Sequence, residues 1–127
     1  MPTATEDLIA FTRLYLQALV ARDTAHVRAH SIDAPGCAYV GIGSLPDERW
    51  ALEELVDHLG EFPPTEFLDS NPTGCVEGGV AWLTDYPTCV LPSGERVAIR
   101  ATVVLVRVRE AWKVAHWHVS EGVAHEL

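Results

Sequence analysis

Two histidines one residue apart, His116 and His118, stand in the run Trp112 to Ser120, WKVAHWHVS. An imidazole exchanges protons near neutral pH, so a pair of them beside large aromatic rings is a first candidate for acid or base chemistry. If the run is a strand, side chains alternate, and both histidines share one face with Trp112, Val114 and Ser120 while Trp117 takes the other. The same imidazoles would also serve as cross-strand hydrogen-bond partners where two copies meet. With Glu121 three residues beyond His118 they could begin a metal site, which needs a third ligand from His125 or a distant residue. No metal and no cofactor are predicted.

Other residues complete the candidate set. Asp85 follows Trp82 by three and is the acid expected nearest a pocket mouth; as a surface aspartate before Tyr86-Pro87 it would only shape a turn. Trp50, Trp82 and Trp117 suit the wall of a pocket for a flat or hydrophobic ligand, and equally suit a core. Arg100, on the same strand as Thr102, is a cation that could face a ligand or pair across a subunit contact. No Gly-rich phosphate loop, Ser-centred elbow or Cys-His nucleophile pattern is visible.

These side chains need a scaffold, and the chain reads as helices first and strands afterwards. Thr5 caps a helix over about residues 5–21, with Leu8, Phe11, Tyr15, Ala18 and Leu19 at helical spacing and Glu6 and Asp7 at its positive end. Asp23 caps a second helix to about His30. Cys37 to Val40 reads as a short strand. Ser44 and Asp47 resemble a capping box for a third helix whose apolar side is Trp50, Leu52, Leu55, Val56 and Leu59. From Thr65 onward, turn residues separate short β-rich runs, and the apolar run to Val108 folds back through Arg109-Glu110-Ala111 onto Trp112 to Ser120 as a closing hairpin. The expectation is a single α+β domain over residues 1–127, with a largely antiparallel sheet under three helices.

Composition narrows the partners. Of 127 residues, 48% are hydrophobic, enough for a core without staples. The formal net charge of −9, from 18 acids against nine bases, argues against nucleic acid and anionic membranes. Arg96, Arg100, Arg107, Arg109 and Lys113 nevertheless gather in the closing hairpin, so the sheet is locally cationic. Cys37, Cys75 and Cys89 are odd in number and lack metal spacing, which fits buried thiols. No signal-peptide pattern or membrane-length apolar run is seen, so a cytoplasmic location is expected.

The ending WKVAHWHVS, together with Ala81-Trp82-Leu83-Thr84 and the stretch Gly43 to Leu55 with Glu48, Trp50 and Leu52, resembles the nuclear transport factor 2-like superfamily, in particular its SnoaL-like branch and the association domain of calcium/calmodulin-dependent protein kinase II. The resemblance spans about Thr5 to Gly122. It implies a cone-shaped, curved antiparallel sheet capped by three helices and enclosing a pocket, usually assembled into dimers or larger rings through the sheet's other face. Expected partners are therefore a small-molecule ligand and a second copy of the chain. It also implies Tyr15 as a donor to a developing oxyanion, as in the ketosteroid isomerase relatives. The general-base aspartate of those enzymes would fall near Tyr39 to Ile42, where this chain has no carboxylate. The kinase domain's pocket arginines would fall at Thr84, Val103 and Val119, none of them basic. The function implied is a cofactor-independent isomerase, cyclase or dehydratase acting on a small hydrophobic carbonyl or hydroxyl compound through His118, Tyr15 and Asp85; the alternative is a non-catalytic ligand-binding or oligomerisation module.

Overall fold

The computed structural model describes residues 1–41 and 46–123. Helix α1 runs Glu6–Val20, and the Thr5 hydroxyl accepts from the Leu8 amide at 3.4 Å, as a capping threonine should. Its apolar side buries Leu8, Tyr15, Leu16 and Leu19. Its polar side is also fastened: Arg13 Nε donates to the Ser70 carbonyl at 3.2 Å and Gln17 Nε2 to the Phe67 carbonyl at 2.8 Å. Helix α2 is Thr24–Ala29, and the Asp23 carboxylate accepts from the His26 amide at 3.1 Å.

The third helix differs from expectation at its start. It covers Leu52–Gly60, with Ala51 at the cap position. Alanine offers no oxygen, so only half of a capping box forms, the Glu54 carboxylate accepting from the Ala51 amide at 3.3 Å. Trp50 is not on α3 but in the short strand β2 (Arg49–Trp50), antiparallel to β1 (Tyr39–Gly41). The expected Ser44 cap lies outside the described residues.

Six further strands follow: β3 (Glu66–Leu68), β4 (Thr73–Glu77), β5 (Val80–Asp85), β6 (Thr88–Val90), β7 (Arg96–Val108) and β8 (Ala111–Glu121). The sheet runs β2-β1-β8-β7-β5-β4 without closing into a barrel, and the β3-β6 pair joins it along β7. Strand β7 is the spine. Its first residues pair with β6, its later ones with β5, and its other edge carries β8 from Ile99↔Glu121 to Val108↔Ala111. The expected closing hairpin is present, with Arg109 and Glu110 as its turn.

The expected largely antiparallel sheet is present, with two features that local patterning does not give. The sheet is mixed rather than antiparallel throughout, because β1 lies parallel to β8, with Tyr39 opposite Trp117 and Gly41 opposite Val119. That neighbour is fixed by a long-range crossover, which local patterning does not encode. Gly41 has φ +99° and a β-carbon there would lie 1.9 Å from the Val119 carbonyl oxygen, so the close approach of these strands requires glycine. The second feature is an irregularity in the β7-β8 ladder: Val104 pairs with His116 but Leu105 with Val114, leaving Ala115 as the extra residue. Side-chain alternation therefore resets, and Val114 joins Trp117 and Val119 on the buried face instead of sharing the histidines' face.

The three helices pack on that face, and one cluster holds Leu8, Tyr15, Leu16, Leu19, Leu55 and Leu59 together with Leu83, Val103, Leu105, Trp117 and Val119. Burying a side chain of this kind contributes about 1.5–3 kcal/mol each, opposed by chain entropy.

Candidate functional site

The helix-facing side of the sheet has a filled half and a hollow half. In the filled half Tyr15 and Trp117 are wholly buried. Ser31 donates its hydroxyl proton to the Val27 carbonyl at 2.5 Å, so its oxygen is free to accept from the Tyr15 hydroxyl at 2.8 Å. The Tyr15 oxygen accepts in turn from Trp117 Nε1 at 3.2 Å. The relay Trp117 to Tyr15 to Ser31 to Val27 thus uses each proton once and ties β8 to α1 and α2. Burial, partly offset by the bonds to Ser31 and Trp117, pushes the Tyr15 hydroxyl up to about 12. Its proton is committed inside this relay, and Tyr39, whose ring meets Trp117 with centroids 5.8 Å apart, fills the space beside it. The Tyr39 hydroxyl donates to the Ile32 carbonyl at 2.7 Å.

The outer face gathers most of the other predicted residues. Register places His118 opposite Thr102, Ser120 opposite Arg100, and His116 opposite Val104, which is in turn opposite Trp82. Arg100, Thr102, His118 and Ser120 line an open groove with Tyr86. His118 is solvent-exposed there and not in an enclosed cavity, because the odd-numbered residues of this part of β8 face the helices. His116 Nδ1 meets the Ala38 carbonyl at 2.6 Å, which assigns the proton to that nitrogen and ties the imidazole to the chain before β1. Trp82, half-buried, shares this outer face with Cys75, whereas Trp117 faces inward; the two rings do not border one cavity.

Asp85 is buried, at 2% exposure, rather than a surface turn residue. Its carboxylate accepts from the Ser70 hydroxyl at 2.6 Å, the Asn71 amide at 2.8 Å and the Tyr86 amide at 2.9 Å, so it organises the segment between β3 and β4 against the end of β5. Trp50 lies elsewhere again, stacked on His58 with centroids 4.2 Å apart and donating to the Gly41 carbonyl at 3.3 Å. His118, Tyr15 and Asp85 are therefore not assembled into one constellation. Among the described residues no group of three or more His, Cys, Asp and Glu is placed to hold a metal ion; His125 lies outside them.

The hollow half holds a cavity of about 200 Å³ between the end of α1, the β3-β6 pair and the facing ends of β7 and β8. Val20, Phe67, Val97, Ile99 and Val119 make its walls, and Arg22, Cys89 and Glu121 bring its titratable groups. These residues carry no mark in the sequence, because Val, Ile and Phe facing a cavity cannot be told from Val, Ile and Phe in a core. The available signal was Arg22, which ends α1 where a glycine is usual.

Helices resting on one side of an open, mixed, curved sheet with a hollow at one end define a protein of the nuclear transport factor 2-like fold. The model of the SnoaL-like domain family matches residues 8–124, and the chain belongs to that family. Similar solved structures show the same architecture at low identity. A protein from Parabacteroides distasonis, provisionally described as a ketosteroid isomerase, is 20% identical with TM-score 0.68 over 91% of this chain and 85% of its own. A provisionally described dehydratase of the same fold family from Streptomyces avermitilis is 18% identical, with TM-score 0.69 over 94% and 95%. The association domain of the Caenorhabditis (C. elegans) calcium/calmodulin-dependent kinase is 14% identical, with TM-score 0.64 over 91% and 93%. Comparison with curated protein sequences gives no match. No helix among the described residues is long and apolar enough to cross a membrane.

Proposed function

We propose that this chain is a small-molecule pocket protein of the SnoaL-like kind that works as a homodimer, taking a small, largely apolar molecule in the cavity between α1 and the ends of β7 and β8. The observation that carries the reading is the cavity itself: about 200 Å³, walled by Val20, Phe67, Val97, Ile99 and Val119, beside the buried cluster around Tyr15 and Trp117. Proton transfer of the isomerase or dehydratase type would draw on Glu121 or Cys89, the lining groups able to give or take a proton, since Tyr15 is closed off in its relay and His118 is on the far side of the sheet. Titrating the labelled protein with cyclohexanol and following backbone amide shifts tests the pocket. Shifts centred on Phe67, Val97, Ile99 and Val119 are expected; their absence, or a centre elsewhere, overturns the reading.

The outer face favours self-association. Trp82, Val104, Val106 and Cys75 form a half-buried apolar strip, edged by Arg100, Thr102 and His118, which is the anatomy of an interface with a polar rim. On this reading His118 and Arg100 are contact residues between subunits. Light scattering at micromolar concentration should give twice the chain mass, and Trp82→Glu should halve it; a monomeric parent protein would refute the pairing.

A further inference from the structure

Arg22 sits in a backbone conformation that its own side chain disfavours. The Asp23 amide donates back to the Ala18 carbonyl at 2.9 Å and the Arg22 amide to the Leu19 carbonyl at 3.4 Å, a Schellman ending for α1 in which Arg22 occupies the left-handed position with φ +64°. Glycine takes that position without strain; a residue with a β-carbon does not. Asp69 (φ +59°) and Arg109 (φ +60°) share this conformation, so the backbone alone does not single out Arg22 and a further reason is needed.

The side chain supplies one. Arg22 lines the cavity, its Nε is held by the Pro63 carbonyl at 3.3 Å, and among the described residues no carboxylate lies within 4 Å of it. Burial lowers its affinity for the proton, and the charge that Cys89 carries when ionised opposes this. A guanidinium held at Nε keeps its two terminal nitrogens for a planar, two-oxygen acceptor.

Resting on the pocket reading above, we infer that the cavity's ligand is a small monocarboxylate with an apolar body, its carboxylate on Arg22 and its hydrocarbon among Phe67, Val97, Ile99 and Val119. Arg22 is the one cation among the lining residues and pairs with one carboxylate, while the solvent-exposed Glu121 keeps its own charge in water. A dianion such as a phosphate monoester would leave its second charge in an apolar hollow that also carries Glu121. The volume fits: a dry apolar cavity of about 150 Å³ holds benzene, so about 200 Å³ suits a body of about six carbons with a carboxylate at its end.

The test compares hexanoate with 1-hexanol by calorimetry, and follows alkylation of Cys89 by peptide mapping, since an occupant should shield that buried thiol. Hexanoate should bind and slow alkylation of Cys89, with 1-hexanol weaker by roughly 10- to 100-fold, the size of a charge-assisted contact. Arg22→Gln should bring hexanoate down to the level of the alcohol. Arg22→Gly is the decisive variant: a structural role predicts a loss of stability, whereas this proposal predicts an unchanged or raised melting temperature with hexanoate binding lost. If hexanol binds as well as hexanoate, or Arg22→Gly retains hexanoate affinity, the carboxylate assignment is overturned while the pocket stands. If neither probe binds nor shields Cys89, and cyclohexanol leaves the wall amides unmoved, the pocket itself is refuted.

Discussion

The two halves of the sheet's inner face are made from the same kinds of residue and end in opposite states. Around Trp117, rings from α1 and β1 pack against it, and the polar atoms of Trp117, Tyr15 and Ser31 form one directed relay ending at the Val27 carbonyl. Around Val97 and Ile99 the facing elements are the end of α1 and the three-residue strands β3 and β6, which bring one aromatic ring, that of Phe67, and leave a hollow. The difference lies in what opposes the sheet, not in the sheet. Close packing is what gives a core its stability, while a gap forfeits contacts on one side.

The largest effect should come from opening a hole in the filled half. Trp117→Ala removes a wholly buried ring and leaves the Tyr15 hydroxyl without its donor, so unfolding free energy should fall by about 4 kcal/mol, measured by urea denaturation. A loss below about 1 kcal/mol would mean that this half is not packed as described. A paired experiment sharpens the contrast further. Val103→Phe, at a position 1% exposed between Trp117 and Leu83, should cost about 1–3 kcal/mol by overpacking, whereas Val97→Phe, directed into the cavity, should cost less than about 1 kcal/mol and displace any bound probe. Equal costs would erase the distinction between the halves.

Much of the filled half was legible in the sequence. The helical period of Leu8, Tyr15 and Leu19, the Thr5 and Asp23 caps and the closing hairpin all follow from local rules, and each appears within a residue or two of its expected bounds. The candidate site was much less legible, for two physical reasons. Ala115 is small and apolar like Val114, so nothing in the pattern marks the extra residue that moves Val114 off the histidines' face and onto that of Trp117. The cavity, moreover, is assembled from α1, β3, β6, β7 and β8, and a void between elements is a property of their spacing that no single segment carries. The residue types that advertise chemistry, His118, Arg100 and Thr102, lie on the outer face, across the sheet from the cavity.

The smallest effect expected concerns acidification of the filled half. His26 stacks on His30 with centroids 4.1 Å apart and lies 6.4 Å from the Tyr15 ring, while Phe11 closes on His30 from the other side. Burial lowers the His26 pKa below its ordinary 6.5, the neighbouring His30 charge adds to this, and Asp23 opposes it. The folded protein then binds fewer protons than the unfolded chain between the two values, so stability is at its full level above about pH 6.5 and is lost as pH falls through the lowered value. Because His26 is only partly shielded from water, the loss should be slight, and His26→Gln should flatten it. Thermal melts of the two proteins from pH 7.5 to 5 decide the matter: a parent curve no steeper than that of the variant would show that the folded protein takes up the His26 proton without cost.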